Sequence, residues 1–198
     1  VECPAQTEER MIHFVSKGAM DIDGMGKDIV KRFIAEGLLE NVEDIYRFDY
    51  EKVLALEGWK EKSIENLKKG VELSKQQPLW RLLVGLGIRH VGSATAKMLE
   101  KQIQRVDDLI NWTMESLAEL EDVGPKVAES VMSFFQNEEN QVLLKNLEEL
   151  GVKVEKTEED NVLKSNKLEG LTFLFTGALS RFSRDKAKAL VEENGGKN

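Results

Sequence analysis

Apolar residues recur with helical spacing along most of the chain, and four five-residue segments interrupt this pattern at nearly equal intervals. Each segment has an apolar residue at its first and fourth positions. The segments are residues 22–26 (IDGMG), 56–60 (LEGWK), 88–92 (IRHVG) and 120–124 (LEDVG). Their fifth positions are 34, 32 and 32 residues apart. A repeat of this length indicates that one small structural unit is used four times.

A helix is predicted on both sides of each segment. Apolar residues stand four and seven positions after every segment, which places them on one face of a helix. These residues are Val30 and Phe33, Ile64 and Leu67, Ala96 and Leu99, and Ala128 and Val131. Before the segments, the pattern predicts helices over 8–17, 49–56, 79–86 and 113–120. No strand-like alternation occurs between residues 8 and 150, so this region is predicted to be all-α.

Glycine dominates the four turn segments. It occupies the fifth position in three of them (Gly26, Gly92 and Gly124) and the third position in two (Gly24 and Gly58). Glycine permits positive φ and lets another group approach the backbone closely. We therefore expect a phosphate to reach the amides that begin each following helix. The alternative is a helical repeat in which glycine only permits tight turns.

The charge distribution is uneven. The chain of 198 residues has a net charge of −8, yet residues 58–106 hold ten basic and four acidic side chains. An acidic chain with a basic middle remains compatible with nucleic-acid binding through that middle, although helix surfaces also vary in charge without any ligand. No apolar run approaches the ~20 residues that span a bilayer. The single cysteine favours a reducing compartment and cannot build a four-ligand zinc site by itself.

A leucine stripe and a charged stretch follow the four repeats. A helix is predicted over 137–150, with Asn137 as its cap and Leu143, Leu144, Leu147 and Leu150 packing against the hairpins. Residues 152–168 are rich in charge and are interpreted as a hydrated linker, with a short strand at 152–155.

The last thirty residues change character. Residues 168–177 have the composition of a buried strand ending in a turn, and a helix is predicted over 183–194. Ser183 is the candidate N-cap of this helix, and Gly195-Gly196 is its stop signal. A single strand with one helix needs neighbours to be stable.

Several motifs resemble one protein family. Cys3-Pro4-Ala5-Gln6, Arg10, His13-Phe14 and residues 19–26 are similar to the junction between the zinc finger and the helix-hairpin-helix domain of bacterial NAD-dependent DNA ligases. Residues 87–92 (GIRHVG), Lys62-Ser63 and Asn66-Leu67 extend the resemblance to about residue 151. Residues 168–177 and the helix after them resemble the start of a BRCT domain.

The resemblance implies a fold and a domain order. The fold is mainly α, with a tandem helix-hairpin-helix domain of four hairpins followed by a truncated α/β BRCT-like piece. A zinc-finger remnant is expected at 1–7, the helix-hairpin-helix domain at 8–151, the charged linker at 152–168 and the BRCT-like piece at 169–198. Cys3 is then expected to be the last of four zinc ligands, with the other three outside this chain.

The resemblance also implies a function. The chain is expected to bind nicked double-stranded DNA through backbone phosphates, without reading sequence. The expected contacts are Gly24, Gly26, Lys27, Gly58, Lys60, Lys62, Gly87, Arg89, His90, Gly92, Lys97, Gly124 and Lys126. In the parent ligase, upstream adenylation and oligonucleotide-binding domains use NAD and Mg²⁺ to seal nicks, in a bacterial cytoplasm. This chain has no Lys-x-Asp-Gly nucleophile motif, so no catalytic residue and no cofactor are expected within it.

Three alternatives remain at this point. The chain is also compatible with a helix-hairpin-helix accessory module of another DNA repair or recombination protein, or with a protein-binding helical repeat. A nucleotide-binding strand–loop–helix beginning at Phe175 is a third possibility, although its loop holds one glycine, Gly177, and lacks the phosphate-binding fingerprint. Thr176-Gly177 is interpreted as a strand-end turn in preference to a phosphate contact.

Overall fold

The computed structural model describes residues 4–120, 123–157, 167–176 and 184–197. The chain divides into two compact units, residues 1–155 and 156–198. The first unit is helical, and its described helices are α1 (Pro4–Val15), α2 (Lys27–Ala35), α3 (Tyr50–Leu54), α4 (Glu61–Ser74), α5 (Leu79–Gly85), α6 (Ser93–Gln102), α7 (Met114–Ala118), α8 (Pro125–Gln136) and α9 (Glu138–Glu149). Two 3-10 helices, η1 (Val42–Tyr46) and η2 (Val106–Asn111), connect them.

The four predicted helical hairpins are present. The turn segments join α1 to α2, α3 to α4, α5 to α6 and α7 to α8. All eight apolar residues predicted on the second helices are buried, with exposed fractions of 0–7%. Within the described part of residues 8–150 there is no strand, which confirms the mainly α fold and the tandem hairpins.

The first two hairpins pack against each other reciprocally. The first turn lies on α4, where Gly70 faces the Asp23 backbone so closely that a Cβ would overlap the Asp23 carbonyl oxygen. In return, Trp59 of the second turn packs on Phe33 of α2, with ring centroids 5.4 Å apart. Each turn therefore buries its apolar side against the second helix of the other hairpin.

Helix α5 ties the first hairpin to the third. His13 Nε2 of α1 lies 2.7 Å from the Val84 carbonyl oxygen. A Cβ added at Gly85 would lie 3.2 Å from Phe14 Cδ2, so α1 and α5 approach closely at this glycine. Arg81 reaches back to the loop after α1 and donates to the Ala19 carbonyl oxygen at 2.7 Å.

Helix α9 closes the first unit as the sequence predicts. Asn137 caps it by accepting a hydrogen bond from the Glu139 amide at 2.8 Å. Three of its leucines are buried, and Leu150 packs against the same core. The leucine stripe is therefore core packing.

The first compact unit continues past residue 151, the predicted end of the helix-hairpin-helix domain. Val152 and Val154 are 3% and 6% exposed, and the compact unit runs to Glu155. The short strand predicted at 152–155 is reduced to one antiparallel bridge between Arg105 and Glu155. Arg105 also binds three carboxylates, those of Asp107, Glu148 and Glu155, at 2.8–3.0 Å.

The second unit contains a helix, α10 (Arg184–Glu193), near the predicted 183–194. The helix ends at glycine as predicted: Gly195 has φ +85°, and the Gly196 amide donates to the Val191 carbonyl oxygen at 2.9 Å. This 6→1 bond with a left-handed residue before it is a Schellman ending. Ser183 and Gly177 lie outside the described residues.

The buried strand predicted at 168–177 does not form over the described residues 167–176. One parallel bridge joins Thr172 to Lys197, while Leu171 and Leu174 are 51% and 88% exposed. A strand is stabilised by paired neighbours and a covered face. A single bridge supplies neither, so the apolar composition alone does not bury this segment.

Gly70→Ala tests the contact between the first two hairpins. Alanine normally stabilises a helix interior by about 1 kcal/mol relative to glycine. Here the added methyl would overlap the Asp23 carbonyl oxygen, and overpacking costs about 1–3 kcal/mol. We expect urea unfolding to show a net loss of stability, whereas Lys69→Ala at an exposed neighbouring position changes little. A gain in stability for Gly70→Ala would contradict the close contact.

Tyr46 predicts how stability depends on alkaline pH. Burial raises the pKa of Tyr46 from its ordinary 10.0 to about 12, against the opposing effect of the Ser74 hydroxyl. Because the pKa of Tyr46 is higher in the folded than in the unfolded state, its protonated hydroxyl contributes to the stability of the fold. This contribution to stability is complete below pH 10 and is lost as pH rises through about 12. Two pKa units correspond to about 2–3 kcal/mol. We expect the free energy of urea unfolding of Tyr46→Phe to fall less between pH 10 and about 12 than that of the unmodified chain. Tyr50→Phe, which removes a less buried hydroxyl, should keep most of the fall seen in the unmodified chain.

Candidate nucleic-acid interface

The four turns share one internal hydrogen bond. In each turn the amide of the fourth residue donates to the carbonyl oxygen of the first, at 3.0–3.2 Å. The bonds join Met25 to Ile22, Trp59 to Leu56, Val91 to Ile88, and Val123 to Leu120. The apolar residues that define the sequence repeat are therefore the two ends of a β-turn, and their side chains anchor that turn in the core.

Positive φ occurs at the third position of the turns. Gly24, Gly58 and His90 have φ of +84°, +86° and +66°. The corresponding Asp122 lies outside the described residues. A turn with positive φ at this position favours glycine, and a histidine there holds an uncommon conformation. His90 is exposed, so its ring lies at the surface of the third turn.

The fifth-position glycines are not explained by backbone conformation. Gly26, Gly92 and Gly124 have φ of −66°, −95° and −75°, which any residue adopts. The positive φ that glycine permits is therefore used at the third position and not at the fifth. A Cβ added at any of these three glycines would meet no atom of the described residues within 4 Å. Internal packing does not require glycine there either, and the space in front of these residues is open.

The second helix of each hairpin begins with an uncapped end. Gly26, Lys60, Gly92 and Gly124 are the N-cap residues of α2, α4, α6 and α8, and no side chain caps any of these four helices. The first amides of a helix have no intrahelical acceptor, and they favour negative charge. Each of the four helix starts is thus open to an anion from outside.

The four helix starts differ in charge. Asp28 and Glu61 lie in the first turns of α2 and α4, whereas the first turns of α6 and α8 contain no acidic residue. Pro125 at the start of α8 removes one amide. A carboxylate near a helix start repels a phosphate there, so α6 has the most favourable start for binding an anion.

Several predicted basic residues are exposed and available. Lys60, Lys62, Arg89 and Lys126 are exposed, and among the described residues no carboxylate lies within 4 Å of their charged groups. Lys27 lies 4.0 Å from Glu9, and both side chains are more than half exposed. Such a pair contributes little to stability and separates easily. Lys97 is half-buried and lies over the Trp80 ring, 5.2 Å from its centroid.

Part of the basic surplus in residues 58–106 has a structural use. Arg81 holds the loop after α1, Lys75 pairs with Glu72 at 2.7 Å, and Arg105 binds three carboxylates. The hydrogen bonds that the Arg105 guanidinium donates to the carboxylates of Asp107 and Glu148 are the main reason that the pKa of Arg105 lies above its usual range. The sequence count therefore overstates the charge that remains for a ligand.

The third turn and the start of α8 share one concave surface. Gly87, Arg89, His90 and Lys126 line a cavity of about 630 Å³ between the third turn and α8. We call it the turn cavity. It brings together four of the residues predicted from the sequence. The predicted residues of the first two hairpins, from Gly24 to Lys62, do not line it.

A second cavity continues from the first. It has about 670 Å³, lies between α1, the third turn and the junction of α8 with α9, and includes Arg10 and His13. We call it the α1 cavity. Both cavities are lined by Gly87, Ile88, Phe134, Asn137 and Asn140. Sequence reasoning assigned Asn137 only a capping role and did not identify Asn140, because the approach of α9 to the third turn has no local signal.

Among the described residues there is no candidate set of metal ligands and no candidate membrane-spanning helix. No group of three or more His, Cys, Asp or Glu side chains there is arranged to hold a metal ion. Cys3, the predicted zinc ligand, lies outside those residues. Nor does any described helix combine the length and apolar character needed to cross a membrane.

The chain is similar to known proteins in one motif and along its whole length. Residues 81–144 match the model of the helix-hairpin-helix motif. The whole chain is similar to proteins named DNA ligase: 48% identical to one from Sulfurihydrogenibium azorense over 99% of this chain, and 47% identical to one from Persephonella marina over 99%. A third, from Thermoanaerobacter sp., is 40% identical over 100% of the chain.

The similarity covers only part of these relatives. The chain spans 28%, 27% and 30% of their respective lengths. Residues 81–144 include the third turn and α8, between which the turn cavity lies. The chain is therefore similar to a segment of these DNA ligases, and its own residues 81–144 match the helix-hairpin-helix motif.

Proposed function

We propose that this chain is the duplex-gripping region of an NAD-dependent DNA ligase, and that it binds the phosphates of nicked DNA without reading their sequence. The observation that carries the proposal is the pair of features at the fifth turn positions: open space in front of Gly26, Gly92 and Gly124, and uncapped amides directly after them.

The open glycines favour a ligand over a purely structural turn. A glycine needed for a tight helical turn has positive φ or a close neighbour, as at Gly24 and Gly70. Gly26, Gly92 and Gly124 have neither, so none of the described atoms excludes a side chain there. A phosphate bound to the amides that follow would need this space, because it approaches the helix along its axis.

The charged residues fit the same ligand. Lys60, Lys62, Arg89 and Lys126 are exposed near the helix starts, and Arg89 and His90 lie within the third turn. Contacts to phosphate from amides and basic side chains fix a protein on the duplex and carry no base information. Sequence-independent grip is what a nick-sealing enzyme needs from such a region.

Catalysis belongs to the remainder of the ligase in this proposal. The chain has no Lys-x-Asp-Gly motif, so it supplies no nucleophile for adenylate transfer. NAD, Mg²⁺ and the adenylation and oligonucleotide-binding domains act elsewhere in the whole protein, in the cytoplasm beside the chromosome. Cys3 would complete a zinc finger with ligands from outside this chain. The chain by itself is expected to bind a nicked duplex and seal nothing.

Gly92→Ser separates a ligand role from a folding role. Serine adopts the observed φ, and as an N-cap it is at least as favourable as glycine, so thermal stability should stay equal or rise. Its hydroxyl would accept a hydrogen bond from an amide at the start of α6, and it would fill the space that the phosphate needs. Since hydrogen bonds to charged groups contribute about 1.5–3 kcal/mol, we expect fluorescence anisotropy to show roughly tenfold weaker binding of nicked duplex.

The control for Gly92→Ser is Gly18→Ser. Gly18 is exposed, has no neighbour within 4 Å of an added Cβ and lies outside the four turn segments. It should leave both stability and affinity unchanged. Loss of stability with unchanged DNA affinity in Gly92→Ser would show that the glycine serves folding alone.

The salt dependence of binding tests the basic contacts. Each phosphate contact contributes about −0.9 to the slope of log affinity against log salt concentration. We expect Arg89→Ala and Lys126→Ala each to reduce the magnitude of the slope by about one and to weaken binding equally on unrelated sequences. Lys145→Ala, on the exposed side of α9, should leave the slope unchanged. A flat salt dependence of the unmodified chain would contradict phosphate binding.

A further inference from the structure

We infer that one strand of the bound nucleic acid continues from the third turn along both cavities to α1, so that Ser133, Asn137 and Arg10 contact the same strand as Arg89 and Lys126. This inference rests on the proposed function and extends its site to residues outside the four turns. The two cavities have about 630 and 670 Å³ and share the middle part of their lining. Because five lining residues are common to both, the two cavities adjoin, and we call them together the α8–α9 groove.

The chemistry of the groove fits a polyanion better than the rest of the surface does. Its charged lining consists of Arg10, Arg89 and Lys126 with Glu129 and Glu139, a net positive set in a chain whose net charge is −8. The two cavities place these cations at separate points, Arg89 and Lys126 beside the third turn and Arg10 on α1. Separated cations with space between them suit a chain of phosphates more than a single anion.

Hydrogen-bonding side chains occupy the middle of the groove. Asn137 lines both cavities and is exposed, and Ser133 lines the turn cavity from an exposed position of α8. Asparagine and serine side chains are common partners of phosphate and sugar oxygens. Phe134, half-buried between them, gives the floor an apolar surface on which a sugar ring can rest.

The groove exists because the second hairpin pair is packed less tightly than the first. Gly70 stands ten residues after Lys60, and Phe134 stands ten residues after Gly124. At Gly70 the opposing turn touches the helix backbone, which leaves no space. At the equivalent Phe134, the aromatic side chain and the third turn line an open cavity instead. The same repeat therefore packs closely between the first two hairpins and leaves an open groove between the third and fourth.

Two substitutions of opposite charge test the groove. Asn137→Asp keeps an N-cap acceptor for α9, because aspartate caps as well as asparagine, but it places a carboxylate where both cavities meet. Ser133→Lys adds a cation at an exposed helical position with good helix propensity. By anisotropy on nicked duplex at low salt, we expect roughly fivefold weaker binding for Asn137→Asp and a severalfold gain for Ser133→Lys.

The matched control is Asn41→Asp. Asn41 caps η1 through the same kind of side-chain bond, to the Asp44 amide at 3.1 Å, and lines neither cavity of the groove. It changes the net charge equally and should leave the affinity within twofold of the unmodified chain. Thermal denaturation of all three variants checks that each one folds.

The outcomes distinguish this inference from the proposed function. If Asn137→Asp and Ser133→Lys leave the affinity unchanged while Arg89→Ala lowers it, the chain grips DNA by its turns and the groove extension is wrong. If the unmodified chain binds no duplex, the proposed function is wrong, and the inference that rests on it is wrong as well. Equal weakening by Asn137→Asp and Asn41→Asp would overturn the inference, because it would reflect overall charge and not the groove.

Discussion

The fold depends on a β-turn whose first and fourth residues pack against the core. The first and fourth residues are joined by the same hydrogen bond in all four turns, and their side chains face the core. Because both ends are fixed, the fifth residue is held at the surface in extended conformation, where it begins the next helix. One local constraint therefore sets the direction of each second helix and leaves its first amides exposed to solvent.

Packing between hairpins then decides what each turn is used for. In the first pair, Gly70 admits the backbone of the opposing turn, and Trp59 packs on Phe33 in return. In the second pair, Phe134 takes the place of the small residue, and the surface between turn and helix stays open. Asp28 and Glu61 also make the helix starts of the first pair less favourable for an anion. The first pair is therefore the more closely packed one, and the second has the open surface and helix starts without acidic residues.

The sequence was sufficient for the features that repeat. The 32–34-residue spacing and the buried positions four and seven after each turn fix the hairpins, because both express local helical periodicity. It was insufficient where distant segments meet. His13 contacts Val84 across 71 residues of sequence, and Asn137 approaches the third turn. Neither contact produces a local pattern in the sequence. Residues 168–177 show the converse error, since an apolar run predicts a strand only if partners exist to pair with it.

The Arg105 cluster has a mechanical consequence. One guanidinium binds Asp107 in η2, Glu148 on α9 and Glu155, the last residue of the compact unit. Tension applied through the following segment would reach this cluster before it reached any hairpin. Because Asp107 and Glu148 hold the guanidinium in place, the contact between Arg105 and Glu155 would have to break before the load reached the turns.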